Sequence, residues 1–69
     1  MEYKVKNLTG EIEIGTAKTI RGAIRMGRKH EKEISNLGGC GHGFIVLDEN
    51  GKEIRRQTCD NFGNHWHEA

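Results

Sequence analysis

The sequence predicts a two-layer α+β domain, one helix packed on an antiparallel four-stranded sheet in the order β-β-α-β-β. Three observations predict it. Apolar residues alternate with polar ones over 2–6 and again over 11–14. Between 19 and 34 they recur instead at helical spacing. A second strand pattern fills 44–58, broken only by the turn residues Asp48-Glu49-Asn50-Gly51.

The elements follow in order. Tyr3 and Val5 alternate with Glu2, Lys4 and Lys6, and Ile12 and Ile14 alternate with Glu11 and Glu13. Asn7-Leu8-Thr9-Gly10 lies between them, with Asn to open a turn and Gly where φ must be positive. If Tyr3, Val5, Ile12 and Ile14 are to share the core face, the loop must hold an even number of residues, because a one-residue slip inverts the face. Lys4 or Lys6 then neighbours Glu11 or Glu13 on the outer face.

Thr16 or Thr19 is placed to cap a helix that no Pro interrupts through Ile34. At about 100° per residue, Ile20, Ala23, Ile24, Gly27 and Ile34 fall on one face. Ala23 and Gly27 are small enough to bring the helix axis close to a sheet. Gly22 and Gly27 each cost about 1 kcal/mol relative to Ala, so this helix depends on packing. Asn36-Leu37-Gly38 supplies its stop.

Phe44-Ile45-Val46-Leu47 is an apolar β run, and Lys52 to Thr58 returns after the turn. Asp at the first turn position and Gly at the fourth suit a type I turn with a G1 bulge. Cys59 to Ala69 is expected as a C-terminal tail or a short edge strand. In it Trp66, near Phe62, either covers the sheet edge or forms an exposed anchor, burial being the commoner fate of Trp in a domain of this size. The whole of 1–69 then forms one domain.

A chain of 69 residues buries only about 60% of its unfolded surface and holds a stability of a few kcal/mol. Its thin core leaves little room for an enclosed catalytic cavity, which favours a binding protein over an enzyme, with no cofactor. Met1-Glu2-Tyr3-Lys4 lacks the apolar core of a secretory signal, and no apolar run reaches the roughly 18 residues of a membrane helix. A cytoplasmic location without membrane contact is expected, where two cysteines stay reduced. A monomer and a homodimer are both compatible with the pattern.

The net charge is +1, but it is unevenly spread. Residues 18–32 hold Lys18, Arg21, Arg25, Arg28, Lys29 and Lys32 against the single acid Glu31, while the remainder holds five basic and nine acidic residues. On a helical wheel the six cations span about 100°, roughly opposite the apolar stripe. Helix faces usually mix signs, since i,i+4 pairs of opposite charge add about 0.2–0.5 kcal/mol each. A wholly basic face is either a solubilising surface or one that docks on phosphates or on an acidic protein surface, and docking is the expectation adopted. Arg55 and Arg56 of the second hairpin are further candidates for partner binding. No aromatic residue is interleaved for base stacking, which favours an acidic protein or nucleoprotein complex over direct nucleic-acid binding.

Cys40, His42, Cys59, His65 and His67 form an alternative zinc-ligand set that would stabilise a small domain. Its spacing lacks the C-x2-C signature of common zinc modules, and buried thiols beside a polar tail explain the same residues. The run Gly38 to Gly43 is not a phosphate loop, because it follows a helix and leads into a strand.

The helix segment Thr19 to Lys32 and the Asp-Glu-Asn-Gly-Lys hairpin within Phe44 to Arg56 resemble a class of very small bacterial and phage-encoded proteins, some anti-CRISPR proteins among them. The resemblance implies a non-enzymatic viral inhibitor that docks on a host defence complex and blocks its nucleic-acid site or its assembly. It assigns no role to individual residues.

Overall fold

The computed structural model describes residues 2–36, 43–60 and 65–68. Its elements are β1 (Tyr3–Asn7), β2 (Glu13–Ala17), α1 (Ile20–Asn36), β3 (Gly43–Leu47), β4 (Glu53–Asp60) and β5 (His65–Glu68). All strand pairs are antiparallel, in the order β2-β1-β3-β4-β5. The sheet therefore has five strands, not four. The alternation of His65-Trp66-His67-Glu68 is long enough to pair with Gln57–Asp60, and the tail becomes an edge strand. No helix among the described residues is long and apolar enough to cross a membrane.

The first hairpin closes through Asn7. Its N–H donates to the Ile12 carbonyl at 3.0 Å, and its Oδ1 accepts from Ile12 N and Thr9 Oγ1, each at 3.1 Å. The pairing then slips from Lys6↔Glu13 to Val5↔Gly15, which leaves Ile14 as the extra residue of a β-bulge. Val5 and Tyr3 thus lie opposite Gly15 and Ala17 rather than the two isoleucines. Ile14 still packs on the core, but Ile12 stays 58% exposed. The expected pairing of Lys4 with Glu13 is present at 3.9 Å.

Thr19, not Thr16, caps the helix: its Oγ1 accepts from Gly22 N at 3.0 Å and its carbonyl from Ala23 N at 3.0 Å. Thr16 belongs to β2. The second hairpin turns as expected. Gly51 has φ +81°, and its N–H donates to the Asp48 carbonyl at 3.0 Å. Asp48 Oδ1 accepts from Asn50 N and Lys52 N at 2.9 Å each.

The central core is Val5, Ala23, Phe44 and Val46, each wholly shielded from solvent. Ile24, Met26, Ile54 and Trp66 pack around it. Gly27 lets the helix sit directly on Phe44: a β carbon built there would stand 2.5 Å from Cδ2 and 2.6 Å from Cδ1 of that ring. An ordinary carbon contact is about 3.5–4.0 Å, so only Gly permits this approach. β3 is buried along its whole length. On the face away from the helix, Ile45 and Leu47 lie between Lys6 and Lys4 of β1 and Arg56 and Glu53 of β4, whose aliphatic stems help to cover them.

Among the described residues, the helix backbone packs over β1, β2 and β3, and Arg28 reaches β4 and β5 by its side chain. The same face of β4 and β5 is left as a shelf beside it, and this placement defines the site described next.

Candidate docking site

Four of the predicted cations form one exposed patch on α1. Arg21, Arg25, Lys29 and Lys32 are all exposed, and among the described residues none of them takes part in an ion pair. Lys18 is separate. It precedes the helix, which begins at Ile20, so its wheel position does not apply. It lines an open groove with Lys4, Thr16, Asp48 and Glu49.

Arg28 has a different environment. Its Nε donates to Gln57 Oε1 at 2.9 Å, and its guanidinium carbon lies 5.5 Å from the centroid of the Trp66 ring. Met26, on the opposite flank of the helix, reaches Gly15 of β2. The basic face is therefore turned toward β4 and β5, not squarely away from the sheet. Arg21 and Lys32 fall within about 40° of Arg28 on the wheel, on the flank above the shelf.

The floor of the shelf is a connected polar network. Gln57, only 4% exposed, donates from Nε2 to Glu68 Oε2 at 2.8 Å. Glu68 Oε1 accepts from Arg55 Nε. These bonds hold the Glu68 carboxyl below its ordinary range, the bond from Arg55 contributing most and that from Gln57 next. Arg55 is raised in turn, chiefly by the same bond. Pairing across the ladder explains the grouping: Gln57↔Glu68 and Cys59↔Trp66 are partners, and directly opposed residues share a face.

Arg56 points to the other face. It holds Glu53 through Nη2–Oε1 at 2.7 Å and Nε–Oε2 at 3.1 Å, and that bond holds the Glu53 carboxyl below its ordinary range. The two hairpin arginines, both candidates for partner binding, thus lie on opposite sides of the sheet, each in an ion pair with a carboxylate.

Three shelf residues, Gln57, Trp66 and Glu68, were not expected from the sequence as part of the site. The period of two along β4 and β5 carries the signal for them, but only once β5 is known to pair with β4. Trp66 does bring an aromatic ring to the basic flank. That ring is already engaged, with Arg28 over it and the Phe44 ring 5.4 Å away at an interplanar angle of 59°, so it is a wall of the shelf rather than an open stacking platform. Glu31, also on the helix, is 4% exposed. The wheel places it between Ile20 and Ile24 on the buried stripe, which the charge count alone concealed.

The zinc alternative is not assembled among the described residues. Cys59 pairs with Trp66 and His67 with Thr58, which puts Cys59 and His67 on opposite faces. No three described His, Cys, Asp or Glu residues come together as metal ligands. Cys40 and His42 lie outside the described residues, as do Phe62 and the glycine run before Gly43; His65 is described only as part of β5. Comparison with protein-family models, with curated proteins and with solved structures returned no match. The site is therefore interpreted from its own chemistry.

Proposed function

We propose that this chain is a non-enzymatic binding protein that docks on an acidic protein surface through the helix cations Arg21, Arg25, Arg28, Lys29 and Lys32. One observation carries the proposal. Arg21, Arg25, Lys29 and Lys32 stand exposed on one helix without an ion pair among the described residues, although the chain contains 10 acidic residues. Like charges along a helix repel, each i,i+4 pair costing a few tenths of a kcal/mol. An arrangement that forgoes neutralisation suits a surface completed by a partner of opposite charge, which also speeds encounter. The engaged state of the Trp66 ring favours a protein over a nucleic acid.

The resemblance of Thr19–Lys32 and Phe44–Arg56 to small phage-encoded proteins supports a host defence complex in the cytoplasm as the class of partner, and inhibition as the outcome. Capture of a defined complex from host cells, with wild-type chain and with Arg21, Arg25 and Lys29 reversed to Glu, tests the proposal. Arg28 is left intact in that variant because it is tied to Gln57. Reversal is expected to abolish capture with the thermal transition unchanged. Capture that survives reversal overturns the proposal, as does a complex that forms only with nucleic acid.

A further inference from the structure

We infer that Arg28 and Arg55 form a receptor for a single carboxylate, an Asp or Glu side chain of an acidic protein segment lying on the β4–β5 shelf. The inference rests on the docking function proposed above and locates the residue contacts within it.

The two arginines are prepared in the same way. Arg28 Nε is held by Gln57 Oε1 at 2.9 Å, and Arg55 Nε is held by Glu68 Oε1. Gln57 and Glu68 are joined by the 2.8 Å bond between Nε2 and Oε2. Each guanidinium is thus fixed through its inner nitrogen. The outer Nη groups of both make no hydrogen bond among the described residues. A guanidinium held at Nε presents its Nη pair end-on, the geometry that binds a carboxylate in two parallel bonds.

The anchor of the network is secure, since Gln57 is almost wholly buried. The groups meant to meet a ligand are accessible: Arg28 is exposed, and the side chains of Arg55 and Glu68 are 38% and 48% exposed. Arg55 and Gln57 are two residues apart on one strand face, about 7 Å, so a chain lying along β4 passes both arginines.

Charge complementarity identifies the occupant. Glu68 is the one carboxylate of this cluster, paired with Arg55 and joined to Arg28 only through Gln57, which leaves the two arginines with one positive charge in excess. A single incoming carboxylate neutralises it. Arg21 and Lys32 on the flank above attract further acids, and the indole of Trp66 supplies an apolar wall for the peptide stem.

Trp66 is the only Trp in the chain, so its emission reports on the shelf directly. The test titrates the full chain at low salt with hexa-aspartate, with hexa-asparagine and with a short thymidine oligonucleotide. Hexa-aspartate is expected to change the Trp66 emission saturably, and hexa-asparagine to leave it unchanged. Arg28→Lys and Arg55→Lys retain the charge but lose the fork, and each is expected to weaken hexa-aspartate about tenfold. No response to hexa-aspartate, undiminished affinity in both lysine variants, or saturation by the oligonucleotide alone overturns the inference. If the lysine variants bind like wild type while the Arg21, Arg25 and Lys29 reversal abolishes binding, the receptor fails and the docking function stands. Weakened binding in the lysine variants together with loss of the response in the reversal variant, with their thermal transitions intact, supports both.

Discussion

Replacing Gly27 with Ala sets two effects of opposite sign against each other. Helix propensity favours the substitution by about 1 kcal/mol. Packing opposes it, because the new β carbon would lie 2.5 Å and 2.6 Å from two carbons of the Phe44 ring. Restoring a normal contact of about 3.5–4.0 Å requires a separation of roughly 1 Å. Phe44 cannot yield readily: it is wholly buried, and Trp66 packs 5.4 Å from its centroid. The helix must lift instead, which loosens Ala23 and pulls Arg28 from Gln57. Overpacking costs about 1–3 kcal/mol, and a β carbon this far inside contact with a buried ring falls in the upper part of that range, about 2–3 kcal/mol. The net result is a destabilisation of about 1–2 kcal/mol after the propensity gain. In a domain of this size, that corresponds to a fall in Tm of about 5–15 °C. Thermal unfolding followed by far-ultraviolet circular dichroism and by Trp66 emission measures it. A Tm that stays constant or rises would refute the packing argument, and with it the close seating that brings Arg28 over the shelf.

Further outcomes follow from the same structure. Thr19→Ala removes the cap on Gly22 N and is expected to cost about 1 kcal/mol in denaturant unfolding; an unchanged midpoint contradicts the cap. Asp48→Ala leaves Asn50 N and Lys52 N without their acceptor, and should lower the midpoint while leaving binding through the helix intact. Glu68 has its folded pKa depressed below the ordinary value of 4.5, first by Arg55 and then by Gln57. Its contribution is therefore fully present above that ordinary value and is lost as pH falls through the depressed one. The stability difference between wild type and Glu68→Gln should be constant near neutrality and shrink only at acid pH. A difference that disappears between pH 8 and pH 6 would contradict the assignment.

The helix and both hairpins were legible because their signals are local. Thr19, the 3.6-residue spacing of Ala23 and Gly27, and the Asp48 to Gly51 turn each act within a few neighbours. The failures came where distant residues decide. Ile12 lost its place in the core because Asn7 closes the hairpin and a bulge then absorbs Ile14, a choice that alternation cannot express. β5 was ambiguous because four residues form a strand only when β4 offers an edge. The basic face was legible as charge, but its internal division was not. Gln57 lies 29 positions from Arg28, and nothing in the local sequence announces that one arginine of the face is tied to the sheet while its neighbours stay exposed. Arg55 and Arg56 illustrate the same limit. Adjacent in sequence, they must alternate across the sheet, and one belongs to the shelf while the other pairs with Glu53 on the far face.

The claim that the helix cations dock on an acidic protein is tested most directly by binding of the captured partner across a salt series. Wild-type chain should bind more weakly as ionic strength rises, since exposed charges are screened within about 8–10 Å at ordinary salt. The chain with Arg21, Arg25 and Lys29 reversed to Glu should bind at no salt concentration. Equal affinities for the two chains, or an affinity indifferent to salt, would contradict the claim.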